Sequence, residues 1–92
     1  MEFRETRHAT ARRQGRGIPP FVVNLLVEQG ASMRQHGADV FYIDKEARRR
    51  IRRALGDRIH AALETYLDAY VVLADDGCVI TTAWRTRRLR RA

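Results

Sequence analysis

The chain has 92 residues, 45% of them hydrophobic and 32% charged, with a formal net charge of +7, which bounds it to a single domain over residues 1–92 with one small core and excludes a disordered chain. No apolar run approaches the roughly 18 residues of a transmembrane helix, and the arginine-rich start lacks the apolar stretch of a secretory signal, so a cytoplasmic protein with no membrane contact is expected. Cys78 is the single cysteine, excluding an intrachain disulfide and a cysteine zinc cage, and the positive balance points to an anionic partner, nucleic acid first.

Taken in chain order, Thr6 to Arg16 predicts a first helix, with Thr6 as its N-cap and Gly17 as its stop. On that helix His8, Arg12 and Arg16 recur at intervals of four, so they form one row on one side. The segment from Ile18 to Gly30 predicts a second, buried helix with proline in its first turn and Gly30 at its end. Ala31 to His36 and Ala38 to Ile43 predict two strands around a turn at His36-Gly37. Asp44 caps a long helix from Lys45 to about Leu67, continuous or kinked at Gly56-Asp57. Ile51, Leu55, Ile59, Ala62, Leu63 and Tyr66 form its apolar stripe, and Arg48, Arg49, Arg52 and Arg53 cover its other sides. Tyr70 to Ala74 and Cys78 to Trp84 flank Asp75-Asp76-Gly77, a hairpin signature. The order ααββαββ predicts an α+β domain, with helices against a small antiparallel sheet.

Of the 18 basic residues all but Lys45 are arginine, and arginine binds phosphate bidentately and stacks on bases. A compositional bias toward arginine and alanine raises the number by itself, so placement weighs more than count. There is no glycine-rich phosphate loop, nucleophile elbow, histidine pair at metal-ligand spacing or carboxylate cluster, and no cofactor or metal is called for.

RNA offers a route without metal. Its 2′-hydroxyl attacks the adjacent phosphorus once a base takes the proton, an acid protonates the leaving oxygen, and cations stabilise the added charge. In that chemistry His8 transfers the proton, Arg12 and Arg16 hold phosphate, and Arg85 approaches from the last strand. Arg13, Arg87 and Arg88 join Arg12, Arg16 and Arg85 as candidate nucleic-acid contacts, and Trp84 and Tyr42 can stack a base. A basic amphipathic helix is equally the form of a solvated face, and Trp84 and Tyr42 equally fit a core or sheet face. A non-catalytic nucleic-acid-binding module on the same surface is the alternative to an endoribonuclease.

The pattern His8-Ala9-x-x-Arg12-x-x-x-Arg16-Gly17-Ile18, followed by an apolar helix ending in glycine, resembles a small bacterial domain family grouped with the RelE/ParE and BrnT toxins. Its members also end in a hairpin like Val71-Val72-Leu73, Asp76-Gly77 and Val79-Ile80-Thr81, running into Arg85, Arg87 and Arg88. The resemblance implies a RelE-like fold with helices on a curled antiparallel sheet. It implies a toxin of a toxin–antitoxin pair directed at RNA, with an acidic antitoxin as partner. RelE-like members cleave RNA without metal, whereas ParE-like members act on a protein target, DNA gyrase, so a toxin acting on a protein target is a further alternative for this chain. The long helix from Lys45 departs from the compact toxins as an insertion.

Overall fold

The computed structural model describes residues 3–85. Its elements are α1 (Arg7–Gly15), α2 (Pro20–Gln29), β1 (Ala31–Gln35), β2 (Ala38–Tyr42), α3 (Lys45–Leu63), a 3-10 segment (Glu64–Asp68), β3 (Ala69–Leu73) and β4 (Val79–Trp84). The domain is therefore α+β in the expected order ααββαββ, and its four strands form one antiparallel sheet in the order β1-β2-β3-β4. No helix among the described residues is long and apolar enough to cross a membrane.

Local chemistry sets the element ends. The Thr6 hydroxyl accepts from Ala9 N at 3.0 Å, satisfying one of the free amides at the start of α1. At the other end Gly17 takes φ +69°. Its amide donates to Gln14 O and that of Ile18 to Arg13 O, the paired bonds of a Schellman cap, with Ile18 buried behind it. His36 and Gly37 both have positive φ (50° and 77°), which matches a tight turn to the twist of β1 and β2. In the second hairpin Gly77 N donates to Ala74 O and Cys78 N to the Asp76 carboxylate, both at 2.9 Å.

The sheet has two unlike faces. Ala69, Val71, Leu73 and Val79 point into the main core, where they meet Ala9 of α1, Val22, Val23 and Leu26 of α2, and Ala47 and Ile51 of α3. Phe41 and Trp84 pack at its margin. Strand alternation sends the intervening residues the other way. Register aligns Met33, Val40, Val72 and Thr81 in one row of this second face, and Ala31, Tyr42, Tyr70 and Ala83 in the next.

The long helix differs from expectation. At Gly56 the backbone leaves helical geometry (φ 84°, ψ 166°), and the helix ends at Leu63 rather than near Leu67. The hydrogen-bond ladder breaks there, so the stripe does not stay in phase across the kink. Ile51 is buried at 2% exposure, but Leu55 and Ile59 are 41% and 50% exposed, and Ala62 is exposed as well. Leu67 still reaches the core, carried by the 3-10 segment.

Candidate nucleic-acid interface

Helix α1 has few apolar residues, and its inward side is Ala9 and Arg13. The Arg13 guanidinium bonds both Glu5 carboxylate oxygens, with Nε at 3.0 Å, and donates to Ile18 O at 2.8 Å. Arg13 is thereby buried and neutralised, a tether between the start of the chain and the cap of α1. It has no free donor face for phosphate, and its expected place among the nucleic-acid contacts is corrected accordingly.

Of the predicted row, His8 and Arg12 lie on α1, and Arg16 is its C-cap residue. His8 and Arg12 are exposed, and neither side chain makes a hydrogen bond or ion pair among the described residues. Arg16 is half-buried. Its Nη1 donates to Thr82 O at 2.9 Å, while its own carbonyl accepts from Trp84 Nε1 at 2.8 Å. These two bonds fasten the end of α1 to the outer edge of β4. Among the described residues no carboxylate meets the Arg16 charge, so it stays available to an anion even with one donor engaged.

Arg85 is held at the opposite side of the same hairpin. Its amide donates to Asp68 O at 2.7 Å, and its Nη1 reaches Ile43 O at 3.1 Å. On the way its Cζ passes 5.3 Å from the Tyr42 ring centroid, within cation–π range. Arg16 thus lies outside β4 and the Arg85 head over β2, more than two strand spacings and so beyond about 10 Å across the sheet. This spread suits separate phosphates of a strand rather than one shared phosphate. Arg87 and Arg88 lie outside the described residues.

Trp84 belongs to the helix-covered side. It stacks on Tyr66 (centroids 6.3 Å, 20° between planes), and Tyr66 meets the Phe21 edge at 5.6 Å. Its indole face is used within the protein, so of the two expected stacking residues only Tyr42 faces away from the helices. Tyr70, its register partner on β3, was not singled out from the sequence. The alternation Ala69-Tyr70-Val71 marks Tyr70 as opposite the core, but nothing local names Tyr42 as its neighbour.

Several aspartates elsewhere are paired locally. Arg34 bonds Asp39 at 3.1 Å and Asp75 at 2.7 Å. The Arg34 hydrogen bond holds the Asp75 carboxyl below the usual aspartate range. Arg52 does the same to Asp57. On α3 Arg49, Arg52 and Arg53 surround an open depression with Glu46. Among the described residues no group of three or more His, Cys, Asp or Glu is placed to hold a metal ion.

Compared with family models, curated protein sequences and solved structures, the chain finds no match.

Proposed function

We propose that the chain is an RNA-binding protein of the toxin-like kind its N-terminal motif implies. The reading is carried by one observation: among the described residues the Arg12 side chain is unpaired, while Arg16 and Arg85 are fixed through backbone carbonyls, with no carboxylate to cancel them. Carbonyl anchoring orders a guanidinium while leaving its charge unspent, an arrangement that favours an anion over a structural ion pair.

If about five phosphates are neutralised on single-stranded RNA, log affinity falls with log salt at a slope near −3 to −4. Arg12→Ala makes the slope shallower by roughly 0.7, one phosphate's worth. Anisotropy titrations at several salt concentrations test both values, and an affinity indifferent to salt rejects the reading.

Cleavage is a second reading, favoured by the exposed, unpartnered His8 one helical turn from Arg12. His8 would exchange the proton of the 2′-hydroxyl while Arg12 holds the phosphate. In an assay on defined RNA, with and without ribosomes, His8→Ala then lowers the rate by about 10²–10⁴ with little change in binding. A chelator leaves the rate unchanged, and a 2′-O-methyl group at the cleaved position abolishes it. Full activity of His8→Ala removes this mechanism but leaves the binding reading intact.

A further inference from the structure

The face of the sheet turned away from the helices has a composition unlike a solvated surface. Its floor is Ala38, Val40 and Ala83, all buried yet outside the main core cluster. Around them stand Met33, Val72 and Thr81, half-buried, and the facing pair Tyr42 and Tyr70 on the two central strands. Facing residues on paired strands have Cβ atoms about 5 Å apart, so the two side chains leave the sheet as neighbours, although their rings do not touch. Neither ring contacts another aromatic ring among the described residues, and neither hydroxyl has a protein partner. Arg85 lies over one of the two rings and brings an uncancelled charge to the rim of this face.

We infer that this face is a stacking platform on which Tyr42 and Tyr70 receive unpaired bases of single-stranded RNA, with Arg85 holding the phosphate between them. The inference rests on the nucleic-acid reading above and names the form of the ligand. Aromatic rings exposed on a sheet accept any base by its π-face, while adjacent arginines follow the backbone. A duplex cannot use the platform, because its bases are stacked on one another and its deep major groove closes their edges to side chains. A second copy of this chain is a poor occupant, since it brings the same +7 charge to the same face.

The test compares a labelled oligouridylate of about 12 nucleotides, within the site sizes of such surfaces, with an RNA duplex of equal length. The single strand binds at least roughly tenfold more tightly at moderate salt. Tyr42→Leu and Tyr70→Leu each weaken single-strand binding by roughly 5- to 100-fold, the range of one lost base stack. They leave the salt slope unchanged, whereas Tyr42→Phe and Tyr70→Phe stay near the wild type. Ultraviolet crosslinking of oligouridylate to the unaltered protein avoids any folding defect of the variants, and places crosslinks in residues 38–42 and 69–73. Equal affinity for duplex and single strand, or crosslinks confined to α1 and α3, overturns the platform. If the leucine variants bind as the wild type while Arg12→Ala does not, the platform fails and the nucleic-acid reading stands. If neither RNA binds at low salt, both fail together.

Discussion

Arg12 and Arg13 are neighbours of identical chemistry with opposite situations, and the difference is measurable. Arg13→Ala leaves Glu5 half-enclosed without its partner, so it costs about 3 kcal/mol or more in a urea melt, whereas Arg12→Ala stays within about 0.5 kcal/mol. Although Arg16 falls at the cap of α1 and not within it, that His8 and Arg12 lie on a helix was legible from local sequence. The inward turn of Arg13 was not, because α1 has so little apolar surface that nothing in its pattern marks the buried side, and Glu5 lies before the helix begins. A second residue-scale outcome concerns Asp75. Its folded pKa lies below its unfolded value, so the Arg34 pair stabilises the fold above the ordinary aspartate pKa of about 3.9. That contribution is lost as pH falls through the lower, folded pKa. Carboxyl NMR titration should find the Asp75 midpoint below the ordinary value in the wild type and returned to it in Arg34→Ala. The pair is exposed, so its effect on the acid limb of a melt is small and vanishes in high salt.

Helix α3 shows where pattern reading stops at the scale of an element. Ile51 and Ile59 occupy the same stripe in the sequence, yet only Ile51 faces the core. Ile51→Ala should cost about 2–4 kcal/mol by lost burial and a cavity, and Ile59→Ala less than about 1 kcal/mol. Equal costs in denaturant melts would show both halves of α3 packed alike. The cause is Gly56, whose φ of 84° with extended ψ is open only to glycine at low cost. A glycine within a helical pattern announces a weak point, but not the direction in which the chain leaves it. Gly30 acts differently. Its φ is ordinary, but an added Cβ would strike Leu26 O and lie 2.6 Å from Tyr42 O. Gly30 was legible as the end of α2, whereas its tight seat against the sheet belongs to the tertiary structure. Gly30→Ala should therefore destabilise by more than the roughly 1 kcal/mol that separates the two residues by propensity alone.

Across the whole molecule, element types and order followed from periodicity and turn chemistry, and the Asp76-Gly77 hairpin from two residues. The pairing of β2 with β3 did not, because 26 residues separate Tyr42 from Ala69 and no local rule spans them. The second face of the sheet stayed hidden for the same reason, since it exists only once register sets Tyr42 beside Tyr70. The net charge of +7 leaves an excess of cations, which repel one another in the folded state. Oligouridylate at a hundred times its dissociation constant should raise stability by about 2.7 kcal/mol, shifting the melting midpoint upward by roughly 10–20 °C. Molar salt should remove that gain by abolishing binding. A melting curve unmoved by RNA at low salt would contradict the proposed function.

The seam between α1 and β4 bears on timing. Arg16 is fastened to Thr82 and Trp84, Arg4 to Asp76, and Glu5 bridges to Val79, so the earliest described residues are ordered by the latest strand. A nine-residue helix is marginal in water when nothing packs against it. On a ribosome, where the chain emerges from its N-terminal end, His8, Arg12 and Arg16 are exposed early but remain unarranged until β4 has been made. The unfinished polypeptide therefore has the charges without the surface. On the proposed reading, any contact of this row with RNA waits until β4 has been made.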